Sequence, residues 1–216
     1  MNLEPNPAGR QPGPYTVRQW ISLILVVAGC GLLGYVGGQY WYMVHTQRQL
    51  EASWQSQANA SGGDGRSLAA AVTAGKPLTR LMVPKINLEA IVLEGSDRQQ
   101  LIAGPGHITD TAMPGETGNA VITAHRDTFF RHIFELEKGD EITVQRDGRT
   151  FRYRVTSKRI VPPTDLSVLR PTTDAQLTLI TCYPIYYIGP APQRLVVFSK
   201  LVPEAEPVGQ RPATMY

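Results

Sequence analysis

Cys182 is the residue of this chain whose type and position most favour chemistry. It ends the apolar, β-branched run "LTLITC", and a proline follows two residues later. The other cysteine, Cys30, lies near the N-terminus in a long uncharged segment that is predicted below to cross a membrane. Because Cys182 belongs to a domain outside that segment, the two sulfurs cannot form a disulfide within one molecule. An unpaired cysteine is kept for an intermolecular bridge or for reaction, or it packs as a small apolar side chain. All three roles are open on this evidence.

A reactive thiol needs a base or a cation nearby, because the thiolate attacks and an unperturbed cysteine is mostly protonated at neutral pH. Of the four histidines, His125 is the best candidate, since it ends the strand-like run "NAVITAH" at a position equivalent to that of Cys182. Strand ends and their loops are where a barrel presents side chains to a cleft. His45 adjoins the uncharged segment, His107 follows a turn, and His132 lies among apolar residues, as structural histidines do. A strand-end histidine is also common without a catalytic role.

Arg194 opens the run "RLVVFSKLV" and is separated from Cys182 by the loop "YPIYYIGPAPQ". If the two flanking strands are hairpin neighbours, this loop returns Arg194 to the side of Cys182. A guanidinium stays charged at any working pH and can donate hydrogen bonds to a developing oxyanion, although it cannot act as the base. Standing alone, an arginine at the start of a strand is typical of a protein surface. Together, the three residue types suit nucleophilic acyl chemistry.

The elements that must position these residues are predicted to be β-strands. Alternating or β-branched runs predict seven strands, and "RDGR" is a hairpin turn signal. The predicted strands are Arg80–Ile86, Ala90–Gly95, Asn119–His125, Asp140–Arg146, Arg149–Val161, Gln176–Cys182 and Arg194–Val202. Only short helical pieces fit, such as "DRQQLIA" and a turn near "DLSVLR". Seven or eight strands in one ordinary domain favour an all-β, antiparallel-dominated barrel or sandwich.

Residues 21–44, "ISLILVVAGCGLLGYVGGQYWYMV", form an uncharged segment long enough for a helix to cross the roughly 30 Å hydrocarbon layer of a membrane. Aromatic residues flank it at both ends, where amphipathic rings favour the membrane interfaces. A cleaved signal peptide is the alternative. However, the segment exceeds the apolar core of such peptides, roughly 7 to 15 residues, and no small-x-small cleavage site follows. We therefore expect an uncleaved transmembrane helix.

The remaining chain divides by composition. We expect residues 1–20 to be an N-terminal cytoplasmic segment and residues 45–77, rich in Ala, Ser and Gly, to be a flexible or partly helical linker. Residues 78–203 form the folded domain, and residues 204–216 are a flexible tail too polar and proline-rich to join a core. The net charge is only +3, from 21 basic and 18 acidic residues without a dense basic block, so nucleic acid binding is not predicted.

Three motifs resemble signatures of the sortases. "TLITC" at Thr178–Cys182 is similar to their TLxTC signature, and "GPGHITDTAMPGETGNAVITAHRD" at residues 104–127 is similar to the stretch that brings their histidine. Arg194 stands where their arginine follows the cysteine. The resemblance covers nearly all of the 78–203 domain and is closest to class D sortases. It implies an eight-stranded sortase-type β-barrel with short helices, and a single-pass protein of the bacterial cytoplasmic membrane whose domain lies outside the cytoplasm.

The resemblance also implies a role for each candidate residue: Cys182 as nucleophile, His125 as general acid and base, and Arg194 as the group that orients substrate and stabilises the oxyanion. The implied reaction is cysteine transpeptidation, in which an LPxTG-like C-terminal sorting signal is cleaved through a thioacyl enzyme. The implied partners are proteins bearing sorting signals, an amine acceptor from a cell-wall precursor or a pilin lysine, and the membrane. Confinement of enzyme and substrate to one membrane would raise their effective concentration.

Side chains next to the cysteine are candidates for substrate contacts. Thr181, Tyr183 and Tyr186 are predicted to bind the peptide. The alternative for Thr181 is an ordinary strand residue, and for the tyrosines it is packing at the rim of the loop.

No metal and no cofactor are predicted. Some sortases bind calcium through acidic loop residues, and calcium needs several oxygen ligands at close spacing. The acidic residues in the corresponding regions are scattered along the chain: Glu116, Asp127, Glu135 and Glu137.

Two alternatives to a sortase are open. An L,D-transpeptidase-like enzyme also uses cysteine and histidine, but its two residues normally sit close in sequence, unlike His125 and Cys182. A membrane-anchored β-domain that binds or scaffolds surface proteins would leave Cys182 inert. The rate at which Cys182 is alkylated distinguishes a reactive thiol from a buried one.

Overall fold

The structure is a computed structural model that describes residues 16–59 and 77–203, with side chains described for 16–56 and 79–203. Most of the predicted cytoplasmic segment, the larger part of the predicted linker and the predicted tail at 204–216 lie outside the described residues. The chain divides into two compact units, one up to Tyr42 and one from Met43 onward.

A long helix, α1 (Val17–Asn59), contains the predicted membrane span and extends beyond it at both ends. It is long and apolar enough to cross a membrane, by length and composition. Its apolar side chains up to Tyr42 are exposed, as a lipid-facing surface would be.

Within the second unit, the C-terminal part of α1 packs on the strands. The side chain of Leu50 is only 1% exposed and packs with Ile91 and Leu93. Gln47 donates to the carbonyls of Ala103 (2.8 Å) and Ile91 (3.3 Å) and accepts from the Ile91 amide (3.0 Å). Burying a leucine in this way contributes roughly 1.5–3 kcal/mol. The N-terminal part of the predicted 45–77 linker is therefore an ordered helix packed on the domain.

The eight strands of the domain are β1 (Pro77–Val83), β2 (Leu88–Glu94), β3 (Gly106–His107), β4 (Gly118–Thr123), β5 (Glu141–Arg146), β6 (Arg149–Val161), β7 (Ala175–Tyr183) and β8 (Gln193–Leu201). A short helix, α2 (Arg98–Ala103), lies between β2 and β3. Among residues 77–203, 3₁₀ turns span Pro84–Ile86, Ile133–Glu135 and Leu166–Leu169.

The strands close into a barrel in the order β1-β2-β3-β4-β7-β8-β6-β5. The pairs β2–β3 and β4–β7 are parallel, and the other pairs are antiparallel. The predicted eight-stranded barrel with short helices is confirmed, with one long apolar helix before it. The parallel pairing of β4 with β7 matters for function, because it brings the C-terminal ends of these two strands to the same edge of the sheet.

Each strand has an inner and an outer face, because successive side chains point to opposite sides. Inside the barrel, apolar side chains such as Ile122, Leu179 and Val197 form the main core. On the outer face of β4, β7 and β8, a second apolar cluster forms from Val121, Ile180 and Val196 together with residues of the β6–β7 connection. Residues at even spacing from a member of this outer cluster, along the same strand, have their side chains on the outer face.

Candidate active site

Cys182 and Arg194 are directly opposite each other on neighbouring strands. They form a cross-strand pair in the antiparallel ladder of β7 and β8. Side chains of such a pair have Cβ atoms about 4.5–5.5 Å apart and lie on the same face of the sheet. The hairpin expected from the sequence therefore forms, and its loop returns Arg194 to the side of Cys182.

His125 lies on the other side of Cys182. The parallel register of β4 and β7 pairs Thr123 with Ile180. One residue further, the Ala124 amide donates to the Ile180 carbonyl (3.2 Å), so the pairing continues beyond the end of β4. The ladder itself ends at Thr123 and Ile180; extended by two residues, the same register sets His125 level with Cys182.

Cys182 and Arg194 share the outer face of the barrel, because Ile180 and Val196 of the outer apolar cluster are each two residues away along the same strands. His125 lies two residues beyond Thr123, the last residue of β4. All three side chains are partly exposed. A thiol and a guanidinium thus lie side by side on β7 and β8, and a histidine follows the end of the strand on the other side of β7.

The guanidinium of Arg194 is hydrogen-bonded to the protein through one nitrogen, and its other two nitrogens can donate to a ligand. Its Nη1 donates to the carbonyls of Gln193 (3.0 Å) and Ala191 (3.3 Å). Within the described part of the chain, its Nε and Nη2 hydrogens have no protein partner. An arginine has five N–H donors in a rigid fork, so three remain for a ligand. This arrangement suits a fixed donor set for an oxyanion.

Thr181 lies on the opposite face of β7 from Cys182. Its side chain is 1% exposed, and its Oγ1 donates to the Ala124 carbonyl (2.8 Å). A buried hydroxyl in this position cannot contact a peptide bound at the thiol without rearrangement. Instead of the predicted substrate contact, Thr181 makes a bond that fixes the residue before His125 to the strand that carries Cys182.

Tyr183 and Tyr186, the other two predicted substrate contacts, line one cleft of about 540 Å³. Ile160 and Leu195, which are paired across β6 and β8, also line it. Leu195 belongs to the inner core and Tyr183 packs against that core. The tyrosines therefore come together near the end of β7, but Tyr183 is on the face opposite to the Cys182 thiol.

Two residues that the sequence interpretation did not single out hold the chain segments on either side of the thiol. Asn119 donates to the carbonyls of Val168 (2.9 Å) and Arg170 (3.2 Å), which ties the β6–β7 connection to β4. Arg126 donates to carbonyls of the loop after β7. The sequence feature that could have drawn attention to Arg126 is its position directly after His125, the candidate base.

Within residues 16–59 and 77–203, no group of three or more His, Cys, Asp or Glu side chains converges to hold a metal ion. That no metal is required stays a prediction.

The fold and this edge of the sheet define a class of protein: a closed β-barrel in which a cysteine and an arginine pair across neighbouring strands and a histidine follows the strand on the other side, residue types suited to covalent acyl transfer. A family model for the sortase domain matches residues 81–202. Sortase D of Bacillus subtilis is 33% identical over 197 residues, which cover 86% of this chain and 100% of that protein. Sortase SrtE1 of Streptomyces coelicolor is 29% identical, over 90% of this chain and 60% of that protein.

Solved structures agree with these relatives. A sortase D5 transpeptidase of Clostridium perfringens superposes with a TM-score of 0.61 and 25% identity, covering 73% of this chain and 99% of that one. The chain belongs to the sortase family. It is a cysteine transpeptidase that acts on peptide bonds, and its likeness to a sortase D accords with the class D resemblance.

Proposed function

We propose that the protein cleaves an LPxTG-like C-terminal sorting signal and joins the released protein to an amine of a cell-wall precursor or a pilin lysine. The proposal assigns Cys182 as nucleophile, His125 as general acid and base, and Arg194 as oxyanion donor. One observation supports it: Cys182 pairs directly with Arg194 across β7 and β8, and β4, which ends two residues before His125, pairs with β7 on the other side.

The first half-reaction forms a thioester. His125 takes the Cys182 proton as Sγ bonds to the carbonyl carbon of the threonine in the sorting signal. The carbonyl oxygen becomes an oxyanion, which accepts hydrogen bonds from Arg194. When this intermediate collapses, the carbon–nitrogen bond breaks and His125 gives its proton to the departing amine. The C-terminal fragment leaves with its newly freed amine, and the substrate up to its threonine stays as an acyl group on Cys182.

The second half-reaction transfers the acyl group. The acceptor amine attacks the thioester carbon and gives a proton to His125. A carbon–nitrogen bond forms, the carbon–sulfur bond breaks, and the proton returns to the sulfur of Cys182. The enzyme is restored and the product is joined by an amide bond. Water in place of the amine would give hydrolysis.

A cleft next to the end of β7 supports a peptide as substrate. It measures about 540 Å³, and Tyr183 and Leu195, which directly follow Cys182 and Arg194 in the chain, both line it. A concave, largely apolar site with a few polar groups suits the side chains of a short peptide.

We also propose that the protein is a single-pass component of the bacterial cytoplasmic membrane with its barrel outside the cytoplasm. The apolar part of α1 supports the anchor, and substrates carrying sorting signals would be found on the outer side. Protease added to cells with a permeabilised wall and an intact membrane should then digest the barrel. Protection of the barrel until the membrane is broken would contradict this orientation.

The test of the activity is product analysis by mass spectrometry. The full-length protein in detergent micelles is incubated with a panel of sorting-signal peptides and candidate amines. We expect cleavage after the threonine, a product whose mass equals the acyl fragment plus the amine, and an acyl adduct on the Cys182 peptide. Omitting the amine should give the hydrolysed peptide.

Failure of every peptide to be cleaved, together with the absence of any acyl adduct, would reject the activity. Binding of a peptide without turnover would instead favour the non-catalytic scaffold. The two outcomes are distinguished by measuring peptide binding by fluorescence anisotropy on the same preparation.

A further inference from the structure

Arg126, which directly follows His125, reaches the loop formed by residues 184–192. Its Nη1 donates to the Pro184 carbonyl (3.1 Å), and its Nη2 donates to the carbonyls of Tyr187 and Gly189 (both 2.9 Å). The centre of the guanidinium also lies 5.8 Å from the Tyr187 ring. One side chain thus binds three carbonyls spread over six consecutive residues, and hydrogen bonds from a charged donor are about twice as strong as neutral ones.

The loop has few other ties. Residues 184–192 contain no helix or strand, and within the described chain no backbone–backbone hydrogen bond outside the strands involves them. Ile185 is buried, Arg194 bonds to the Ala191 carbonyl, and Ile188 is fully exposed. A segment held by so few contacts opens at a low free-energy cost. Among the described residues, Arg126 therefore makes the largest set of hydrogen bonds to this loop.

We propose that Arg126 is a positioning residue that sets the affinity for the peptide substrate by holding this loop in one conformation beside the thiol. The inference rests on the proposed function, because it concerns the peptide of that reaction. The loop begins directly after β7, two residues beyond Cys182, and ends where β8 brings back Arg194, and its first residues, Pro184 to Tyr186, line the cleft next to the end of β7.

The chemistry itself should depend little on Arg126. The backbone at Cys182 and Arg194 is fixed by the pairing of β7 and β8, and of the two carbonyls that hold the Arg194 guanidinium only that of Ala191 lies in the loop. If the loop opens, only the closed fraction of molecules binds peptide well, and the apparent affinity falls by that fraction. The positioning role therefore predicts an effect on KM with a small effect on kcat, which a merely structural role would not produce.

The test compares Arg126→Gln with wild type in the full-length protein in detergent micelles. Chymotrypsin cleavage after Tyr186 or Tyr187, followed by mass spectrometry, reports loop opening. We expect the cleavage rate and the KM for a sorting-signal peptide each to rise at least about tenfold, with kcat changed less than about threefold. Arg131→Gln is the matched control, because Arg131 is exposed and also lies in the segment after β4. Its cleavage rate and KM should equal those of wild type.

Unchanged cleavage and unchanged KM in Arg126→Gln would overturn the proposal. A loss of kcat at constant KM with the loop still protected would also overturn it, because Arg126 would then act on the reaction itself. If Arg126→Gln does not fold, the KM of Arg126→Lys tests the proposal instead. One ammonium cannot span three carbonyls, so we expect KM to rise about threefold, and a wild-type KM in that folded variant would overturn the proposal.

The readouts separate this inference from the proposed function. If wild type turns over no peptide, the proposed function fails. The positioning role of Arg126 is then tested on two proteins, the Cys182→Ala variant and the Cys182→Ala/Arg126→Gln double variant. Chymotrypsin cleavage of the loop and the affinity for a fluorescent sorting-signal peptide are measured for both. Weaker peptide binding and faster cleavage in the double variant would support the positioning role. Equal affinities and equal cleavage rates in the two proteins would reject it.

Discussion

Cys182→Ala should abolish transpeptidation, with turnover at least about 10⁴-fold below wild type, while the barrel stays folded. The sulfur is the atom that forms the thioester, and alanine offers no nucleophile in its place. The fold should tolerate the change, because Cys182 is partly exposed on the outer face and is not part of the interior core. Product formation by mass spectrometry and thermal unfolding by circular dichroism measure the two effects.

The matched control is Cys30→Ala, which removes the other thiol. Cys30 lies in the apolar part of α1 and is exposed, so its loss should leave turnover unchanged. Iodoacetamide provides a second control, since it should inactivate wild type and Cys30→Ala by modifying Cys182. Normal turnover in Cys182→Ala would exclude the thioacyl mechanism. Alkylation of Cys182 no faster than that of a buried thiol would favour the scaffold alternative.

The pairing of Cys182 with Arg194 could be predicted from the sequence because it depends on local information. Two strand-like runs joined by one loop favour a hairpin, and a hairpin places its two ends together. The position of His125 is different. It depends on the parallel pairing of β4 with β7, strands that are separated by more than fifty residues. Periodicity within a strand predicts its faces but not its partner, so the motif resemblance was needed to bring His125 to the thiol.

The strand predictions were most accurate where alternation is long. β6 has the predicted bounds, Arg149–Val161, because inward apolar and outward charged residues alternate over most of its length. The first strand was predicted to continue to Ile86, but it ends at Val83 and a 3₁₀ turn follows. Pro84 lacks the N–H that a ladder needs, and Asn87 after the turn has a positive φ of 49°. The two-residue strand β3 is too short to produce any periodic signal.

One local rule and several long-range contacts explain what the sequence interpretation of the site missed. Thr181 was expected at the substrate, yet strand alternation, a local rule, puts its side chain on the face opposite to Cys182. The contacts of Arg126 lie about sixty residues away along the chain, at Pro184, Tyr187 and Gly189. The sequence interpretation allowed a partly helical linker, but it did not predict that the end of α1 packs on β2 and on Ala103 at the end of α2, because no local pattern reports such contacts.

Arg194→Lys should lower turnover at least about 10²-fold, the usual cost of removing one preorganised oxyanion donor. Lysine keeps the positive charge, so a purely electrostatic role would survive the change. It lacks the planar fork, in which Nη1 of Arg194 bonds to the carbonyls of Gln193 and Ala191 while Nε and Nη2 point their donors elsewhere. A single ammonium cannot anchor on the loop and bind an oxyanion in fixed geometry at the same time. Steady-state kinetics on the full-length protein measure the loss.

The shape of the kinetic defect identifies which role of Arg194 dominates. An oxyanion donor acts in the transition state, so its loss should lower kcat and kcat/KM together, whereas loss of a substrate contact would raise KM at constant kcat. Arg154→Lys is the matched control, since Arg154 is an exposed residue of β6 and its replacement should keep turnover within about twofold of wild type. Full activity in a folded Arg194→Lys would remove the guanidinium from the mechanism. The stabilisation of the oxyanion would then have to come from other donors beside Cys182, such as backbone amides.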